Sequence, residues 1–408
     1  PTTLGEVVVR DQEESKEGRS SLRFENFAEF PRESGRLEQV VSVRPNRAYV
    51  LSCWMKTEGM DPGRPFSLGH IRFEVLGVPD GRRLQYHDPE VPTETDWIKV
   101  SVGFNSWNYE DVKFSIGAWT GENGRFWIDD LQINEAGLVN VLRRPGTPIV
   151  VRGEESETVY EEGRDFAHIE DLNLNHRFDH EGPAISLLPD SRIKNGERLR
   201  VSWYHSMTLY QRQVSVCMSE PKLYDLWRSQ VQLVAEKLAP DKYFLSMDEI
   251  RAGGSCAACK AQGLSMGEIL GNCATKQYQM IGESNPQAEV FIWSDMFDPH
   301  HNGQQDEGEY YYLVDGRFNG AWNHIPKDMV IGVWGRQVRA KNLEHFSRLG
   351  FKTIAAAYYD TDDLEYVDAW LEALEATPGG LGIMYTTWLD KYDLLGDFGD
   401  MISQRFDK

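Results

Sequence analysis

The hydrophobic pattern of this chain changes period near residue 200. Upstream, short segments alternate apolar and polar positions: Ser21–Phe24, Arg36–Val43, Tyr49–Met55, Ile71–Val75, Trp97–Val102, Val112–Ile116 and Arg125–Ile133. A period of two marks strands buried on one face, and the Gly, Pro and Asn between them supply turns. Segments at this spacing over residues 1–138 predict an all-β sandwich. Residues 139–200 hold further strand-like runs at Pro148–Arg152, Thr158–Tyr160, Ala184–Leu188 and Arg198–Tyr204, broken by acidic turns. They read as a β-rich connecting subdomain without a chemical motif.

Beyond residue 200 the spacing becomes helical over Leu223–Leu238, and a continuous apolar strand follows at Tyr243–Met247. The alternation repeats, with strands at Val290–Ser294, Met329–Trp334, Thr353–Tyr359 and Gly382–Trp388 and helices at Leu343–Leu349 and Leu364–Leu374. Continuous apolar strands separated by helices predict a parallel sheet covered on both faces, the later part of a (β/α)8-type barrel over residues 201–408. These strands, with one more at Val214–Met218, fall short of the roughly eight that such a barrel needs. The expectation is that the missing strands precede residue 1 or that the barrel is irregular. A homo-oligomer, or another chain completing the barrel, would answer the same shortage.

Composition narrows the function classes. Among 408 residues, 40% are hydrophobic, enough for real cores, and the formal charge of -21 argues against nucleic acid or an anionic membrane as partner. No apolar run approaches the length of a membrane span, and no signal segment opens the chain. Twelve Trp and 17 Tyr suit a neutral, hydroxyl-rich ligand as well as they suit core packing. An odd count of five cysteines argues against a framework of structural disulfides.

The chemistry concentrates at strand ends. Asp248 and Glu249 close the strand Tyr243–Met247; the later ends carry Trp293, Asp295 and Asp298, then Trp334, then Tyr358, Tyr359 and Asp360, then Tyr385 and Trp388. C-terminal strand ends are where barrel active sites lie, and a run of aromatic and acidic endings predicts a carbohydrate pocket. The competing reading of Asp248-Glu249 is a helix N-cap. A Glu enclosed by indole rings keeps its proton to higher pH and can serve as a general acid, while an ionised Asp beside it faces developing positive charge.

Two family resemblances follow from these residues. Arg44-Pro-Asn-Arg-Ala-Tyr-Val-Leu-Ser-Cys-Trp-Met-Lys-Thr-Glu-Gly59 and Phe126-Trp-Ile-Asp-Asp-Leu-Gln-Ile133 resemble jelly-roll carbohydrate-binding modules. That likeness implies a jelly-roll sandwich over 1–138, with a structural calcium at Asp129 or Asp130 set against a plain surface turn. Phe244-Leu-Ser-Met-Asp-Glu-Ile250, with the Trp-bearing strand ends and Tyr358-Tyr-Asp360, resembles the glycoside hydrolase family 20 β-N-acetylhexosaminidases over roughly residues 205–395. The resemblance implies Glu249 as acid/base, Asp248 as partner of the substrate's 2-acetamido group, Tyr359 or Tyr358 on the acetamido oxygen, and Trp293, Trp334 and Trp388 as walls. Where that family has a His and two Gly before the pair, this chain has Leu245-Ser-Met247.

Other mechanisms stay open on the sequence. An ordinary retaining hydrolase would pair Glu249 with Asp360 as nucleophile. A degenerate barrel would bind saccharide without turning it over. An oligosaccharide or polysaccharide is the expected partner in every case, and that substrate class favours an extracellular or periplasmic protein. Cys256-Ala-Ala-Cys259, with Cys273 after it, has half of a zinc spacing and is weighed against a thiol cluster or disulfide. Asp298-Pro-His300-His301-Asn302 reads as a pocket rim touching sugar hydroxyls rather than a metal set, and Gln305-Asp-Glu-Gly-Glu309 as a solvated turn.

Overall fold

The computed structural model describes residues 7–26, 36–61, 71–118, 123–206, 214–304 and 313–406. The acidic run at 305–309 lies outside them. The chain divides into two compact units, Pro1–Ser215 and Val216–Lys408. Among the described residues no helix is long and apolar enough to cross a membrane.

The first unit is built on a β-sandwich. One sheet contains β1 (Val8–Asp11), β2 (Ser21–Phe24), β4 (Ala48–Glu58), β7 (Thr95–Asn105) and β9 (Arg125–Glu135), in the order β1-β2-β9-β4-β7. The other has the order β3-β8-β5-β6, from β3 (Arg36–Ser42), β5 (Ile71–Gly77), β6 (Arg83–His87) and β8 (Asp111–Ala118). All pairings in the two sheets are antiparallel. The alternation legible in the sequence sends Leu51, Phe104, Phe126 and Ile128 from the first sheet into one core with Phe73, Val75, Phe114 and Ile116 from the second. The sequence pattern had missed β1 and β6, both short and bearing polar residues.

Asp129, one of the two residues weighed for calcium, anchors a turn. Its Oδ2 accepts the backbone N–H groups of Lys16 at 2.8 Å and Glu17 at 2.9 Å, and its Oδ1 accepts that of Asp130. Both oxygens accept from amides that hold the turn, while Asp130 accepts from Gln132. The stretch expected to connect the domains forms a three-stranded sheet, β11-β10-β12, from β10 (Val150–Gly153), β11 (Val159–Tyr160) and β12 (Leu199–Ser202). It has its own small core of Val141, Val151, Tyr160, Phe166 and Ile169. The run Ala184–Leu188 is not a strand; Leu187 makes only a single bridge to Phe166.

The second unit is a parallel α/β structure. Its elements are α1 (Pro221–Leu238), β13 (Lys242–Leu245), β14 (Ala252–Gly253), α2 (Ala257–Lys260), α3 (Met266–Ser284), β15 (Glu289–Trp293), β16 (Leu313–Val314), β17 (Val330–Val333), α4 (Arg339–Arg348), β18 (Lys352–Ala356), α5 (Glu365–Glu375), β19 (Gly380–Met384) and α6 (Leu395–Phe406). The main sheet has the order β13-β15-β17-β18-β19, so each strand is added beside its predecessor, as in one arc of a barrel. Among the described residues this sheet does not close: β13 and β19 are its edges. Two expectations are corrected here. Residues 214–217 are coil, exposed at Val214, Ser215 and Val216, and form no sixth strand. The second face is covered only in part: Leu245, Ile292, Ile331, Thr353 and Ala355 are buried on one face, while on the other Phe291, Val330 and Ala356 are buried but Phe244 is 38% exposed and Trp293, Ile354 and Met384 are half-buried.

That half-open face depends on one glycine. A Cβ at Gly332 on β17 would stand 2.6 Å from the Phe244 ring and 3.4 Å from that of Trp293. Its absence lets the two rings meet at 4.6 Å beneath the strand ends.

Candidate functional site

The C-terminal ends of the five main strands converge on a cleft of about 800 Å3, lined by Asp248, Glu249, Trp293, Trp334, Tyr359, Asp360, Tyr385, Thr386, Thr387, Trp388, Tyr392 and Leu395. A parallel sheet delivers ligand contacts at these ends because every strand leaves its loop on the same side.

Asp248 and Glu249 lie just past β13 in an irregular segment, not on the strand itself. They cap no helix, since the next one, α2, takes its N-cap from Cys256. Asp248 is exposed and Glu249 half-buried. The backbone N–H of Glu249 donates to Asp295 Oδ2 at 2.9 Å, and Asn302 Nδ2 donates to the other oxygen. The Glu249 side chain accepts from Arg251 at 2.5 Å, a guanidinium that is itself buried. Burial pushes the Glu249 carboxyl above its ordinary value; Arg251 opposes the rise, and the charge of Asp248 adds to it. Burial also holds Asp295 well above the carboxylate range, against the Glu249 N–H that favours its ionised form.

Aromatic rings build the walls. Tyr359 stacks between Trp334, at 5.9 Å and 12°, and Trp388, at 4.5 Å and 29°. His301 braces Trp334 edge-on at 4.5 Å. The Tyr359 hydroxyl is buried without a hydrogen-bond partner among the described residues. Burial, then the charges of Asp295, Glu249 and Asp360, hold that phenol far above its usual range, so it stays a proton donor. Tyr358 is different: its hydroxyl donates to the Thr361 carbonyl at 2.8 Å and its ring packs on Tyr385 at 4.1 Å.

The residues expected to touch sugar separate into two groups. Trp293, Trp334, Tyr359, Asp360, Tyr385 and Trp388 line the cleft with the carboxylate pair. Asp295, Asp298, His300 and Tyr358 do not. Asp295 and Asp298 are fully buried and Tyr358 nearly so, and each carries a local structural hydrogen bond. His300 is exposed, and its backbone N–H closes the Asp298 turn at 2.9 Å. Asp298–Asn302 is thus a brace under the site, through Asn302 on Asp295, more than a rim. Asp360 lines the cleft with its carboxylate already engaged: Thr387 Oγ1, the Trp388 N–H at 2.7 Å and the Leu389 N–H at 3.3 Å all donate to it. Its φ of 53° shows the tight turn those bonds hold.

Sequence reasoning overlooked Arg251, Thr386, Thr387, Tyr392 and Leu395. Arg251 had a signal, being two residues from Glu249, but its direction was not legible. The cysteine expectation also changes membership. Cys217, Cys256 and Cys259 come together, all as free thiols, while Cys273 stands apart beside Gln277. Hydrogen bonding with Cys256, then Cys259, holds the Cys217 thiol well above its ordinary range.

A second cavity, about 160 Å3, lies in the first unit among Gln85, His87, Val102, Gly103, His176 and Phe178. Burial lowers His87 to about 4, so that ring is neutral, and Glu90 and Asp179 line the same cavity beside Lys99 and Arg177.

No protein-family model matches the chain, and no curated protein matches it. Among solved structures, a family 16 carbohydrate-binding module is similar at 20% identity, covering 33% of this chain and 89% of that one with a TM-score of 0.24. A family 4 module is similar at 12% identity over 32% of this chain and 81% of that one, TM-score 0.24. A family 6 module from a Cellvibrio mixtus lichenase, solved with cellotriose, is similar at 12% identity over 32% and 89%, TM-score 0.23. None of these comparisons assigns the chain to the hexosaminidase family that the Asp-Glu segment resembles.

Proposed function

We propose that the second unit is a glycoside hydrolase acting on β-linked, N-acetylated sugars by substrate-assisted retention. The observation that carries this reading is the Tyr359 hydroxyl, buried and unpartnered in an aromatic cleft that also holds Glu249 with its raised carboxyl. A buried phenol without an acceptor costs stability, and a substrate carbonyl would supply that acceptor.

In this scheme Trp293, Trp334 and Trp388 wall the sugar ring. Protonated Glu249 gives its proton to the glycosidic oxygen as the bond from that oxygen to the anomeric carbon breaks. The acetamido carbonyl oxygen bonds to the same carbon, forming a cyclic oxazolinium. Tyr359 donates to that oxygen and fixes its approach, while ionised Asp248 takes the acetamido N–H and faces its growing positive charge. Glu249, now a carboxylate, removes a proton from water as it attacks the anomeric carbon, and the acetamido group is restored. Asp360 is a poor nucleophile for the covalent alternative, because three donors already hold its carboxylate.

A second reading, saccharide binding without turnover, rests on Arg251. Its guanidinium at 2.5 Å favours ionised Glu249, which has no proton to give. The sandwich of the first unit would serve either reading as a further carbohydrate-binding module. Aryl β-N-acetylglucosaminides assayed beside the matching aryl β-glucosides separate the cases. Release from the N-acetylated set alone supports substrate assistance, release from both sets contradicts it, and release from neither leaves binding.

A further inference from the structure

Just after the carboxylate pair lies a group of side chains that the cleft does not use. Cys256 is the N-cap of α2 and Cys259 lies within the same turn; Cys217, 39 positions before Cys256, meets both. Its Sγ is 3.5 Å from Cys256 Sγ and 3.7 Å from Cys259 Sγ, and all three sulfurs lie within 4.8 Å of one another.

Spacing, number and surroundings each point the same way. A disulfide would bring two sulfurs to about 2.05 Å. A tetrahedral zinc ion, with Zn–S bonds of about 2.3 Å, separates its sulfurs by about 3.8 Å along each edge. The two Cys217 separations are close to that edge. Three sulfurs also cannot pair off as disulfides without a remainder. Finally, two of the sulfurs receive a donor: Cys256 from the Cys259 N–H at 3.4 Å, and Cys259 from the Ser219 hydroxyl at 3.2 Å. Gln262 Nε2 in turn donates to Ser219 Oγ. Donors aimed at these two sulfurs suit thiolates, and such outer partners are what orient metal ligands.

We propose that Cys217, Cys256 and Cys259 bind one zinc-like thiophilic cation, with water completing the tetrahedron. Among the described residues no fourth His, Cys, Asp or Glu joins the three. Three thiolates this close repel one another, and a divalent cation removes that cost. Such a site would staple the segment ahead of α1 to the loop behind Arg251, closing the stretch of chain that carries α1, β13, Asp248 and Glu249. Because an unfolded chain lacks the site, metal affinity becomes folding stability.

Elemental analysis of the full chain, purified with reductant and without chelator, tests the site. About one zinc per chain is expected, falling below about a tenth in Cys217→Ser and Cys259→Ser but unchanged in Cys273→Ser. Where the serine variants fold poorly, wild-type protein reconstituted with Co2+ supplies the readout: thiolate-to-cobalt charge-transfer absorption in the near ultraviolet. Stripping the metal with a strong chelator lowers Tm, and adding zinc restores it. Zinc-supplied protein that holds no metal while its thiols react freely overturns the proposal, as does a Cys217–Cys256 disulfide found by peptide mapping.

Discussion

The backbone N–H of Glu249 is anchored by the buried carboxyl group of Asp295, 2.9 Å away. Asp295 follows β15 and Glu249 follows β13, so the bond ties together the loops of two adjacent strands. Asp295→Ala leaves two buried donors, the Glu249 N–H and the Asn302 amide, without their acceptor. A loss of about 1–3 kcal/mol is expected, read as a lower urea midpoint, together with reduced kcat. Asp295→Asn keeps an acceptor oxygen and the volume, and should retain most of both. Equal losses in the two variants would show that the hydrogen bond is not what matters.

Tyr359→Phe separates function from stability. Removing a donor to a charge-bearing oxygen is expected to lower kcat/KM on N-acetylated substrate by about 10²–10³-fold. The same change deletes a hydroxyl that has no partner, so the urea midpoint should hold or rise. A large drop in stability would mean that the hydroxyl is engaged in the resting protein.

The pH dependence of turnover follows from Glu249. Its folded carboxyl is raised by burial, and a general acid works only when protonated. Activity should therefore persist above the usual carboxylate range and fall as pH rises through the Glu249 value. Arg251→Met removes the group that opposes the rise and should move this alkaline limb to higher pH. A shift to lower pH would contradict the assignment of Glu249 as the acid.

Asp298 gives a stability signature independent of catalysis. Burial raises its carboxyl to about 7, and its Oδ2 has no partner among the described residues. The raised folded value means that its contribution is fully present below the unfolded value of 3.8 and is lost as pH rises through about 7. Asp298→Asn, which stays neutral, should raise Tm by a few degrees at pH 8 and leave it unchanged near pH 4. Thermal melts at the two pH values check this; equal shifts at both would contradict it.

The sequence made the strands of both units legible wherever burial imposed a strict pattern. Apolar runs such as Val290–Ser294 and Met329–Trp334 became β15 and β17 because their alternate residues, Ile292 and Ile331, are buried neighbours in one sheet. Val214–Met218 has a similar run, yet Val214 and Val216 are exposed, since composition does not reveal whether a partner strand lies alongside. The aromatic walls were legible because they follow strand ends directly. Which polar residues face the cleft was not. Asp295 and Asp360 look equivalent in sequence, and only tertiary bonds turn the first beneath Glu249 and commit the second to the Thr387–Leu389 loop. Cys217 was invisible as a partner of Cys256 for the same reason, being 39 positions away.

The central claim is that Glu249 donates a proton in a sugar-binding cleft. Comparing wild type with Glu249→Gln, in hydrolysis of an aryl β-N-acetylglucosaminide and in calorimetric binding of N-acetyl-chitooligosaccharide, tests it most directly. The account predicts that wild type hydrolyses, that the variant loses about 10²–10⁴-fold in kcat, and that binding is retained. Hydrolysis undiminished in Glu249→Gln, or a wild type that binds the oligosaccharide and never cleaves the aryl glycoside, would contradict it.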